Sequence, residues 1–87
     1  MDTTTTLMKK LLELRDEGHE EVTTTHLAQA TGVSANEVDY YLKHHADMSR
    51  IGYRREKGHR RNAPVNWWRM LRKGEAYLAA KAEEQDA

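Results

Sequence analysis

Thr25-His26-Leu27-Ala28-Gln29-Ala30-Thr31-Gly32-Val33-Ser34-Ala35-Asn36-Glu37-Val38 reads as two helices meeting at a tight turn. Gly32 stands where the first helix must stop, because a left-handed residue just past a helix lets the last carbonyls find donors. Thr23 or Thr24 caps the start of that helix, which is only about two turns long and carries Leu27, Ala28 and Ala30. Ser34 and Glu37 have the spacing of a capping box: the hydroxyl accepts from the Glu37 amide and the carboxylate accepts from the Ser34 amide. In the helix that follows, Val38, Tyr41, Leu42 and His45 recur at i, i+3, i+4 and i+7 and form its inward face. Asn36, Asp39, Tyr40, Lys43 and His44 are left pointing outward.

Upstream, Leu7, Met8, Leu11, Leu12 and Leu14 mark a first helix from about Thr5, with Gly18 just past its end. Val22 and Thr23 form a short extended piece. Beyond Ser49 the period changes to two, with Ile51 and Tyr53 on one face and Arg50, Gly52 and Arg54 on the other. A second alternating run, Val65 to Leu71, turns Trp68 and Met70 inward. The segment Gly58-His59-Arg60-Arg61-Asn62-Ala63-Pro64 joins the two strands as a wing-like loop. A last helix is predicted from about Arg72 to Ala82, packing on the first helix or on a second subunit. The expected fold class is α+β: a three-helix core, a two-stranded wing and a C-terminal helix. The four-threonine start and the polar end predict flexible tails at 1–4 and 82–87 around one domain at 5–81.

Eighty-seven residues, 38% hydrophobic and 32% charged, make one small soluble-type domain whose apolar residues are mostly needed for the core. That weighs against an enzyme, and no catalytic residues and no cofactor are assigned. Without cysteine there is neither a disulfide framework nor a thiolate metal site, and a cytoplasmic location is expected. The N-terminus lacks a basic start followed by an apolar run, and no stretch approaches the roughly 20 apolar residues that span a bilayer, so no membrane association is expected. The five histidines do not suggest a metal site: His44 and His45 point about 100° apart on a helix.

Formal charge is zero, but unevenly spread. Residues 1–49 hold four Lys/Arg against nine Asp/Glu, a balance of −5. Residues 50–73 hold nine against one, a balance of +8, and residues 74–87 one against four, a balance of −3. A basic block inside a neutral chain creates a local positive field that net charge conceals.

The order helix, short strand, helix, turn, helix, strand, basic loop, strand, helix resembles the winged helix-turn-helix family of DNA-binding proteins over roughly residues 5–80. The resemblance is carried by Thr25-His26-Leu27-Ala28-Gln29-Ala30-Thr31-Gly32-Val33-Ser34, and by Trp68-Arg69-Met70-Leu71-Arg72-Lys73-Gly74 with Leu78. It implies that the helix at 35–45 enters the major groove, with Ser34, Ala35, Asn36, Asp39, Tyr40 and Lys43 towards DNA. The basic wing at 54–62, with Arg54, Arg55, Lys57, His59, Arg60 and Arg61, would lie on the phosphate backbone or in the minor groove.

Each of these residues has a plainer reading. Glu37 is explained by the capping box, Asp39 by a solvated face, and the wing cations by protection of a sheet edge. Alternation places Trp67 on the outer face of its strand, as a partner contact or a partly covered packing residue. The expected function is a double-stranded DNA-binding transcriptional regulator, for which a homodimer would match a palindromic site. The alternative is a winged-helix module that docks on a protein partner, favoured by the acids Glu37 and Asp39 on the third helix. A nuclease would need clustered carboxylates for a divalent ion. Asp16, Glu17, Glu20 and Glu21 are grouped, but at a helix end and loop that read as solvated.

Overall fold

In the computed structural model, which describes residues 2–58 and 63–86, left-handed residues close the first three helices. Helix α1 (Thr3–Asp16) ends at Gly18, φ 109°, where the amides of Gly18 and His19 donate to the carbonyls of Arg15 and Leu14. Helix α2 (Thr24–Thr31) is capped by Thr23 and ends at Gly32, φ 79°, whose amide donates to Ala28. Helix α3 (Ala35–Asp47) ends at Ser49, φ 60°, where the amides of Ser49 and Arg50 reach the carbonyls of Ala46 and His45. These bonds satisfy carbonyls that a helix end otherwise leaves without donors.

Three strands follow from the alternation: β1 (Val22–Thr23), β2 (Ile51–Glu56) and β3 (Val65–Met70). They form one antiparallel sheet in the order β1-β3-β2, with Tyr53 opposite Trp68 and Val22 on its other side. Helix α4 (Arg72–Asp86) ends the described chain. The architecture is therefore α+β, four helices with a three-stranded antiparallel sheet. The expected two-stranded hairpin gains a third strand because β1 pairs with backbone groups that would otherwise form an open edge of β3.

The first and last helices reach beyond their expected bounds. Helix α1 starts at Thr3 because the Asp2 carboxylate caps it, accepting from the Thr5 amide at 2.7 Å, which also holds the Asp2 carboxyl below its usual pKa. Helix α4 runs on to Asp86, four residues past the expected end, through Glu83, Glu84 and Gln85, residue types that favour helix.

The core brings Leu7, Met8 and Leu11 of α1 against Leu27, Val38 and Leu42 of α2 and α3, and against Val22, Ile51 and Trp68 of the sheet. Each such side chain contributes ~1.5–3 kcal/mol when fully buried. Helix α4 adds Leu78 and packs on α1, where Arg15 donates to Glu75 at 2.7 Å.

Gly74 sets how closely α4 meets the sheet. A Cβ there would overlap the Arg50 carbonyl oxygen and stand 2.5 Å from the Met70 sulfur, so both contacts must open. Gly74→Ala should therefore destabilise the fold by ~1–3 kcal/mol, read as a lower urea midpoint. An unchanged midpoint would show that α4 can move away at no cost.

Beside this junction the His45 ring is buried, with the Arg50 guanidinium 3.2 Å from its Nδ1. Arginine can only donate, so Nδ1 accepts and the neutral ring carries its proton on Nε2. Burial first, then the charges of Arg50 and His44, push the pKa of His45 below 6.5, with Asp2 acting in the opposite sense. The Tyr77 ring of α4 completes the cluster, 5.2 Å from the His45 ring and under Arg50 at 4.2 Å. A histidine with a lowered folded pKa contributes stability that is present above 6.5 and lost as pH falls through the lowered value. The melting temperature should drop between about pH 7 and pH 5, and His45→Gln should flatten that slope. Asp2, Glu21 and Glu75, whose folded pKa values are lowered, lose their contributions only below the ordinary carboxyl values of 3.8 to 4.5. A flat profile in the wild type between pH 7 and 5 would remove His45 as the cause.

Candidate functional site

The capped start of α3 presents its outward face beside the sheet. Ser34 accepts from the Glu37 amide at 3.2 Å, half of the expected capping box. Among the described residues the return bond from Glu37 to the Ser34 amide is not formed, and the Glu37 carboxylate stays exposed. Ser34, Ala35, Asn36, Tyr40 and Lys43 are all exposed, Tyr40 most strongly at 73%. Val38, Leu42 and His45 are buried on the opposite side, as the helical spacing requires.

Asp39 is the exception on the outward face. It is half-buried, and its Oδ1 accepts from the Thr24 hydroxyl at 2.6 Å and from the Asn66 side-chain amide at 3.0 Å. The Thr24 hydroxyl in turn accepts from the indole N–H of Trp68 at 2.8 Å, and Asn66 accepts from the Tyr53 hydroxyl at 3.1 Å. This relay joins the core tryptophan, the start of α2, the middle of α3 and both long strands. Tyr53 stacks on Trp68 with ring centroids 4.7 Å apart, which holds the hairpin end of the relay. The solvated-face reading of Asp39 is therefore corrected: its charge is engaged because two buried-side donors need it.

Thr24, Asn66 and Tyr53 were not singled out by the sequence as site residues. For Asn66 a signal existed: it shares the inward register of β3 with Trp68 and Met70, and a polar residue there needs partners.

Alternation divides the basic wing. Arg55 falls on the register shared by Ile51 and Tyr53 and opposes Asn66, on the side of the sheet that faces α3. Arg54 falls on the outer face, opposite Trp67. There it binds Glu21 through Nε and Nη2 at 2.8–3.1 Å, lies 5.0 Å from the Trp67 ring centroid and approaches Glu56 at 3.6 Å. The hydrogen bonds with Glu21 hold the Arg54 pKa up and the Glu21 pKa down. Trp67 is half-buried under this arginine and donates its indole N–H to Glu56 at 2.9 Å, so its packing role is what the structure displays. Arg55 and Lys57 are exposed and pair with no carboxylate among the described residues. His59, Arg60 and Arg61 lie outside the described residues.

What is brought together is an exposed helix face with amide, phenol and ammonium groups, a fixed carboxylate at its edge, and cations at the end of the neighbouring strand. Among the described residues no three His, Asp or Glu side chains approach closely enough to hold a metal ion. Among them, too, no helix is long and apolar enough to cross a membrane. No protein-family model matches the chain, and no curated protein matches it at a significant level.

Thr24→Val keeps the shape of the threonine but leaves the buried indole N–H of Trp68 without an acceptor and Asp39 with the Asn66 amide as its one remaining donor among the described residues. The expected loss is ~1–3 kcal/mol of stability by chemical denaturation, largely restored in Thr24→Ser. Equal loss in both variants would mean that the threonine methyl, not the hydroxyl, matters.

Proposed function

We propose that this chain is a winged helix-turn-helix module that binds double-stranded DNA and acts as a transcriptional regulator by occupying its site, with a homodimer as the working unit. The observation that carries the reading is the exposed face of α3, with Asn36, Tyr40 and Lys43, set beside a hairpin whose Arg55 and Lys57 have no carboxylate partner among the described residues. A helix of this width fits the major groove, where its first turns reach base edges. Asn36 offers one donor and one acceptor suited to adenine, while Tyr40 and Lys43 suit phosphate. The wing cations supply sequence-independent affinity through counterion release. Engagement of Asp39 by Thr24 and Asn66 supports the reading further, since it holds that carboxylate at the edge of the face.

Docking on a protein is the second reading, favoured by the exposed Glu37 carboxylate and the exposed Tyr40 ring. The two readings part on salt dependence. Titration of random and self-promoter duplexes at several salt concentrations should give a steep linear fall of log affinity against log salt. Replacing Arg55 and Lys57 together with Ala should weaken all duplexes alike and reduce the slope by up to ~1.8, about 0.9 per phosphate contact. Arg54→Ala should reduce it less, because Glu21 already engages that guanidinium. Asn36→Ala should act mainly on the preferred sequence. No shift of any duplex, or a slope unmoved in the double variant, would favour the protein-docking module instead.

A further inference from the structure

We infer that Asp39 is the specificity-determining acceptor of this face and reads the exocyclic amino group of one cytosine; the inference rests on the DNA-binding reading above. Only one of its oxygens is used internally, Oδ1, which accepts from both Thr24 and Asn66. Oδ2 has no hydrogen bond among the described residues. Every buried side-chain nitrogen or oxygen among those residues has a partner, so Oδ2 reaches the surface. Asp39 itself lines a cleft of about 270 Å³ between the starts of α2 and α3 and the start of β3, with Thr24, Thr25, Ala35, Pro64 and Asn66.

A carboxylate held through one oxygen keeps the other as a free acceptor among the described residues and has less rotamer freedom to lose on binding. It repels phosphate, so it cannot serve as a backbone contact. In the major groove the available donors are the amino groups of cytosine and adenine. Adenine places its N7 acceptor beside that amino group, where it opposes a negative charge, whereas cytosine places only a C–H there. Guanine and thymine present acceptors at the equivalent edge and are rejected. Asn36, three residues earlier on the same helix face, contributes an independent contact.

The relay makes a sharp test available. In Asp39→Asn the Thr24 hydroxyl and the Asn66 amide still need an acceptor, so the new amide oxygen takes the Oδ1 place and its NH₂ turns outward. One surface atom changes from acceptor to donor while the fold keeps its bonds. Selection from randomised duplexes should give the wild type one position favouring cytosine on the order of tenfold. In the Asn variant that position alone should shift to guanine or thymine. A second arm leaves the protein unaltered: the selected cytosine is replaced by 2-pyrimidinone, which is cytosine without its 4-amino group. That change should weaken wild-type binding by about tenfold and leave the Asn variant unaffected. If the Asn variant fails to fold, the base-analogue arm decides alone. Unchanged cytosine preference in the variant, or full affinity for the analogue in the wild type, overturns the role of Asp39 and leaves DNA binding standing. Failure of the wild type to enrich or shift any duplex overturns both.

Discussion

A fully buried tryptophan must give its indole N–H an acceptor inside the protein, and much of this structure follows from how Trp68 does so. Thr24 supplies the oxygen from the first residue of α2. A hydroxyl that accepts in a buried place also needs somewhere to donate, and Asp39 of α3 receives that proton at 2.6 Å. The same carboxylate oxygen draws in Asn66, and Asn66 fixes the Tyr53 hydroxyl on the adjacent strand. Four elements are thus tied by a chain in which each polar group satisfies the next. The angle between the exposed helix face and the hairpin is an outcome of that chain, so stability and the shape of the candidate interface are coupled through the same atoms.

The electrostatics are divided by the pleat. Arg54 and Arg55 are neighbours in a basic stretch that looks like one patch in the sequence, yet consecutive strand residues point to opposite faces. Arg54 is drawn to Glu21 and over Trp67 on the outer face, where it braces the sheet. Arg55 and Lys57 pair with no carboxylate among the described residues. The strongly acidic N-terminal half thereby contributes a partner to the basic segment within the chain itself.

A different constraint governs the other end of the sheet. The turn after α3 places Ser49 in a left-handed conformation that a non-glycine residue adopts at a cost of order 1–2 kcal/mol. The two backbone bonds of the turn and the packing of Arg50 on Tyr77 and His45 offset it. Gly74 then admits α4 against the Arg50 carbonyl, closing the domain over the same residues. Helix, turn, sheet and C-terminal helix meet where there is no room for a Cβ at position 74.

Local chemistry alone determined the element order, the cap at Ser34, the stops at Gly18 and Gly32, and the inward faces of α1 and α3, and narrowed the cap of α2 to Thr23 or Thr24. Each depends on residues within one or two turns of each other, which is the range over which helical and strand periods can be read. The added helical residues at both ends were missed because a single capping carboxylate and a run of good helix formers outweighed polar composition. The exposed positions Asn36, Tyr40 and Lys43 were legible for the same local reason. The state of Asp39 and the pairing of Arg54 with Glu21 were decided only by tertiary structure. Their partners, Thr24, Asn66 and Glu21, stand 15, 27 and 33 residues away in sequence. Hydrogen bonds at that separation depend on strand register and helix docking, which no short-range pattern encodes.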